Sequence, residues 1–201
     1  MCATILIRVP LVLFPLLPFP DAPRDCQFEL LTPQALEERT VGEFDRRVAH
    51  YMTLHRQLAR SLPPVLAFLD GESARASDEL RAALVAARPL AARGAFFTPA
   101  VGELLKRRLD DALLYGAGYS AMPLYEPVAG EPAPGVNQPF PPVLGSVQWP
   151  ALARALPMVA RELAYAFWGR ALVLVDVEAD LVLDVLPDAL PDGARPGVVY
   201  Q

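Results

Sequence analysis

Seven prolines crowd the stretch between Met122 and Pro150, namely Pro123, Pro127, Pro132, Pro134, Pro139, Pro141 and Pro142. Proline fixes φ and has no amide hydrogen, so a segment punctuated this often is neither a helix nor a central strand. The chain is thereby cut into two structured parts joined by a long extended crossover. Apolar side chains recur every three or four residues before the crossover and every second residue after it, so an α+β fold is expected. Tyr125, Phe140 and Trp149 lie within the crossover, and aromatics of that size are expected to hold it against the domain surface.

In the first part, Thr32-Pro33 pairs a good N-cap with a proline at the first helical position and predicts a short helix through about Glu38. Thr40-Val41-Gly42-Glu43 has the capping-box pattern and predicts a second start. The helix after it carries Phe44, Val48, Tyr51, Met52, His55, Leu58 and Leu62 on one stripe, and Pro63-Pro64 ends it. Ser77 is expected to cap a further helix to about Arg88, stopped by Pro89. Thr98-Pro99 repeats the opening device, and Val101, Leu104, Leu105, Leu109, Ala112 and Leu113 follow on one side, with Gly116 and Gly118 as the closing residues. Three antiparallel helices of this kind can share one core.

In the second part, three apolar runs, Leu163 to Phe167, Ala171 to Val177 and Leu181 to Leu186, predict a three-stranded β-meander. Trp168-Gly169 and Glu178-Ala179-Asp180 are the expected turns. Leu172 and Leu174 alternate with Val173 and Val175, so both faces of the middle strand need cover. The helices are expected on one face and the proline segment or a partner on the other. The resulting plan is an apolar tail or poor signal peptide over 1–31, a helical region over 32–120, the crossover over 121–150 and the meander over 151–192 in the same domain as the helices.

Composition excludes several function classes. With 53% hydrophobic and 20% charged residues, the chain has enough apolar surface to offset the entropy of folding. A formal net charge of -5 argues against a nucleic-acid partner, because phosphate binding needs clustered basic residues. Arg46, Arg47, Arg56 and Arg60 share a helix with acidic neighbours and read as a solvated face. Lys106 is the only lysine among many arginines, a composition typical of GC-rich bacterial genomes. Cys2 and Cys26 both precede the folded region, so they build neither a disulfide framework nor a cysteine zinc site, and a bridge between them would staple only the tail.

Residues 3–19 are strongly apolar but contain Arg8, Pro10, Pro15 and Pro18, which would break a membrane-spanning helix of about 20 residues. A secretory signal is expected instead, cut after Ala22, although the basic residues that usually open one are missing. A mature β-strand or a misassigned start are the alternatives. Pro23, Arg24 and Asp25 are wrong for a lipobox before Cys26.

The chemistry-bearing residues are few. His55 sits on the apolar stripe and reads as a core histidine with a backbone or carboxylate partner. His50 is five residues away, on a different face, which spoils a helical metal pair. Asp176-Val177-Glu178-Ala179-Asp180 fails as a calcium loop, since Leu181 replaces the turn glycine and Pro187 the bidentate glutamate, and it reads as hairpin turn acids. Asp184 and Asp188 read as inward or rim acids that protect a sheet edge. Gly116-Ala117-Gly118-Tyr119-Ser120-Ala121 follows a helix rather than a strand, so it reads as a helix end rather than a dinucleotide fingerprint or a nucleophile elbow around Ser120. No catalytic, cofactor-binding or metal residue is assigned, and neither a cofactor nor a small-molecule ligand is expected.

Three stretches carry a family likeness: Tyr51-Met52-Thr53-Leu54-His55-Arg56-Gln57-Leu58 with Leu62-Pro63-Pro64, Ala87-Arg88-Pro89 leading to Phe97-Thr98-Pro99-Ala100-Val101, and above all the run from Tyr165 to Leu190 with Gly169-Arg170-Ala171-Leu172-Val173-Leu174-Val175-Asp176-Val177 at its centre. On these residues the chain resembles, over about Val41 to Leu190, a family of uncharacterised, mostly exported bacterial proteins. The resemblance implies a secretory N-terminus and a helical domain with a terminal meander, and no activity. The function expected is that of a non-catalytic periplasmic or envelope-associated accessory subunit that binds another protein or a membrane-associated assembly, with a cytoplasmic location as the alternative. The rival is a hydrolase using His55 with a carboxylate such as Asp176 or Asp184.

Overall fold

The computed structural model describes residues 32–62, 70–115, 134–140 and 154–191. Within them, helices α1 (Pro33–Ser61), α2 (Asp70–Ala87) and α3 (Pro99–Tyr115) precede an antiparallel sheet of β1 (Leu163–Trp168), β2 (Ala171–Asp176) and β3 (Leu181–Leu186), in the order β1-β2-β3. The fold is α+β and closes on the meander.

The helix starts follow local chemistry, with two corrections. Thr32 caps α1 by accepting the Ala35 amide at 3.2 Å. No second start occurs at Thr40, whose hydroxyl donates to the Leu36 carbonyl at 2.8 Å inside a continuous helix. That back-bond is open to threonine once a helix is already running. Likewise Ser77 lies inside α2, which begins at Asp70. The chain before Ser77 contains Glu72, Ala74, Arg75 and Ala76, good helix formers, and no proline to stop the helix from reaching back. The other signals hold. Leu62, before Pro63, is extended at φ -86 and ψ 154; α2 stops two residues before Pro89, and Thr98-Pro99 opens α3. Gly116 and Gly118 lie outside the described residues.

Period-two alternation divides the sheet cleanly. Leu163, Phe167, Leu172, Leu174, Leu181, Leu183 and Leu186 join Phe44, Val48, Tyr51, Met52, Leu84, Leu105 and Leu109 in one core between sheet and helices. Ala166, Trp168, Val173, Val175, Val182 and Val185 form a second cluster on the opposite face, with Phe140 of the crossover against them. Phe140 meets Trp168 edge to face at 6.4 Å. Alongside, residues 134–140 pair with β3: Asn137 donates to the Val182 carbonyl at 2.9 Å, Val182 to Gln138 at 3.0 Å and Phe140 to Asp180 at 2.8 Å. Pro139 bridges Leu181 there, on the outer side of an edge strand, where its missing amide costs least. The crossover thus supplies part of the second cover.

α3 lies close on the sheet because Gly102 has no side chain, and a Cβ there would stand 2.9 Å from Leu186 Cδ1. The β1–β2 hairpin turns on Gly169 and Arg170, one residue later than expected. Gly169 at φ 55 is in the left-handed region, as the first central position of a type II′ turn demands. Gly169→Ala should therefore lower stability by about 1 kcal/mol or somewhat more, read as a shifted urea midpoint at constant slope.

β3 is irregular. Leu174 opposes Asp184 while the next residue, Val175, opposes Val182, so Leu183 is an extra residue on β3. This bulge puts Leu183 and Asp184 on the same, helix-facing side. Strict alternation would have sent Asp184 to the opposite face.

Candidate functional site

The two buried aspartates organise what lies between the layers. Asp176 ends β2 on the helix-facing side and is fully buried. Its Oδ1 accepts the Glu178 and Ala179 amides at 3.0 Å each, which is the turn role expected of it. Its Oδ2 does more: it accepts the Tyr51 hydroxyl at 2.5 Å and faces His55 Nδ1 at 2.6 Å. Both partners come from α1, one turn apart on its buried stripe.

His55 is 1% exposed, and its second nitrogen, Nε2, lies 3.1 Å from Glu178 Oε2. A carboxylate on each side calls for a proton on each ring nitrogen, so the ring is held as imidazolium. The hydrogen bond to Asp176 is the main reason its pKa is raised above 6.5, burial opposes it, and Asp176 and Glu178 add charge attraction. For Tyr51, burial first and the neighbouring Asp176 charge second push the phenol well above its usual range, so it stays a donor.

A raised histidine pKa fixes the sign of a pH effect. The contribution of His55 is complete below its unfolded value of about 6.5 and is lost as pH rises through the higher folded value. The stability difference between the native chain and His55→Gln should therefore shrink steadily above about pH 6.5. Chemical unfolding at successive pH values checks this, and a difference that grew with pH would contradict the protonated ring.

Asp184 is also fully buried, the inward of the two positions open to it. Its Oδ1 accepts the Gly94 amide at 2.9 Å, and its Oδ2 accepts those of Phe96 and Phe97 at 2.7 and 2.8 Å. The cause is the β3 bulge, which turns this carboxylate inward onto the loop between α2 and α3. That loop is held from above as well, since Arg47 donates to the Ala95 carbonyl at 2.8 Å, and Phe44 stacks on Phe97 at 6.3 Å. Asp188 is exposed and lies 3.5 Å from Arg170, which fits a rim acid.

Loop and helix enclose an open cavity of about 740 Å³. One wall is a face of α1 that includes Arg46, Arg47, His50 and Leu54; the other includes Arg88 and Leu90. Arg88 stands over the Tyr51 ring at 5.1 Å and the Phe96 ring at 5.7 Å from their centroids. Burial lowers its pKa, opposed by the negative charges of Asp184 and Asp176. The cavity floor and the buried aspartates therefore share a cation.

No protein-family model, curated protein or solved structure matches the chain.

Of the residues singled out in the sequence, the fold brings His55, Asp176 and Glu178 together, and separates His50, which faces the cavity. Asp184 serves a different group of donors. Cys2, Cys26 and Ser120 lie outside the described residues. Among the described residues no group of three or more His, Cys, Asp or Glu is placed to hold a metal ion, and no helix is long and apolar enough to cross a membrane. Tyr51 and Arg88 carry roles that the sequence did not signal. Tyr51 looked like one more apolar-stripe residue, and Arg88 like the end of a helix.

Proposed function

We propose that the protein is a non-catalytic binding subunit that holds another protein, working in the bacterial envelope or periplasm. The observation that carries this is the open cavity of about 740 Å³ whose loop wall is fixed by the buried Asp184. A wall ordered before the partner arrives spares the complex the entropy of ordering it. The main titratable groups beneath the cavity are committed to the scaffold. A general base must reach a substrate proton, and a hydrolase built on His55 would require Glu178 to release Nε2 and a nucleophile to approach a ring that is 1% exposed. The apolar run over 3–19 and the resemblance to an exported family support the envelope location.

Recovery of the tagged protein from its own host tests the reading. A partner retained in fixed stoichiometry is expected, together with a mature chain whose first residue follows Ala22. Repeated recovery of the protein alone would count against partner binding, and a retained Met1 against cleavage and export. Ester or amide hydrolysis abolished in a folded His55→Gln variant would establish the enzyme instead.

A further inference from the structure

The charge of the cavity runs against the charge of the chain. The protein carries a formal net charge of -5, yet among the described residues the cavity is lined by Arg46, Arg47 and Arg88 with Glu43 as the only acid. Glu43 is already neutralised, since Arg47 donates to its Oε1 through Nε at 3.2 Å and Nη2 at 2.7 Å. Arg47 spends Nη1 on the Ala95 carbonyl. Two cations are left over. Among the described residues, Arg46 makes no hydrogen bond or ion pair. Arg88 lies against two aromatic faces, and its Nη1 is buried with no hydrogen-bond partner. The aspartates whose field Arg88 feels have their oxygens filled by other donors, so they leave its guanidinium unpaired. A guanidinium fork suits a carboxylate better than any other common side-chain group.

The remaining lining is apolar. Leu54 and Phe96 form part of it, and Leu90 stands 93% exposed beside it. An exposed leucine next to two unpaired guanidinium groups presents aliphatic and cationic surface together. The volume falls within the roughly 300–1,000 Å³ of ordinary binding pockets. A polyanion such as nucleic acid is a poor fit, because the acidic remainder of the surface would repel it.

We infer that the cavity receives an acidic segment of the partner protein, with aspartate or glutamate carboxylates on Arg46 and Arg88 and a neighbouring aliphatic side chain against Leu54 and Leu90. This rests on the protein-binding reading above. Arg47 is a positioning residue here: it ties Glu43 and the loop carbonyl of Ala95 into the wall and leaves the ligand to the other two arginines.

The test uses the full chain and a dye-labelled peptide of alternating Glu and Leu residues, titrated by fluorescence anisotropy, with a Gln-for-Glu twin as control. Arg46→Glu is the informative variant, because Arg46 is exposed and unpaired and its circular dichroism spectrum should be unchanged. The expected result is binding of the acidic peptide, a loss of at least tenfold in Arg46→Glu, weakening as salt rises, and no binding of the twin. Equal binding of the twin, or of the variant, overturns the assignment. So does a thermal shift with inorganic phosphate in the absence of any peptide binding, which would give the cavity to a small anion. The partner recovered from the host separates the two readings. If Arg46→Glu recovers it as well as the native chain does, the cavity assignment falls and protein binding stands. If neither chain recovers a partner, the underlying reading falls.

Discussion

Replacing Asp176 with alanine is expected to lower the unfolding free energy by about 3–5 kcal/mol, the usual cost of removing one partner from a buried ion pair. In a chain of this size that is a fall in melting temperature on the order of 10 °C. The loss is large because one carboxylate serves four donors: the Tyr51 hydroxyl, His55 Nδ1 and the Glu178 and Ala179 amides. Without it a buried imidazolium keeps only the half-exposed Glu178, and the phenol loses its acceptor. Asp176→Asn separates charge from shape. It retains an acceptor for one side but not the counter-charge of His55, so its loss should be smaller and should diminish at high pH, where the ring becomes neutral. Thermal or urea unfolding of both variants at two pH values gives the comparison. An alanine variant as stable as the native chain would remove the buried pair from the account of this fold.

Asp184→Ala should cost about 3 kcal/mol or more, for a different reason. Each buried amide left without an acceptor costs about 1–3 kcal/mol, and Gly94, Phe96 and Phe97 would all be left so unless the loop opens to water. Opening is the cheaper response. The variant should therefore show fast amide hydrogen exchange at those three positions while the exchange of β2 stays slow, a local rather than global loosening. Because the same loop walls the cavity, binding of the acidic peptide should weaken in parallel. Slow exchange at all three amides in the variant would show that the loop is held by other contacts.

The parts of this structure that the sequence revealed are those fixed by neighbours along the chain. Thr32-Pro33 and Thr98-Pro99 mark true helix starts, and the third strand falls at Leu181–Leu186 as expected. The stripe from Phe44 to His55 is buried as its spacing indicates, and His55 has the carboxylate partner expected of a core histidine. Thr40 and Ser77 misled because a cap signal has meaning only where the preceding residues leave the helix, and here they do not. The remaining gaps concern distance. Tyr51 and Asp176 are 125 residues apart, and no local pattern couples a phenol on a helix to a hairpin acid. For Asp184 the sequence leaves an inward and a rim position open, because the extra residue in β3 that turns it inward has no local signal. Arg88 looked like a helix terminus, and only the assembled loop shows it between aromatic rings and an open cavity.

That surplus residue in β3 has a further effect on how the last two strands can mispair. A slip by one position that straightened the strand would carry Asp184 into the layer of Val173, Val175 and Trp168, where no amide waits for it. An ionised carboxylate stranded among those side chains would cost far more than the bulge does. The aspartate therefore acts as a lock on alignment: it admits a single way of zipping up the hairpin, and the shape of the distant loop is inherited from that choice.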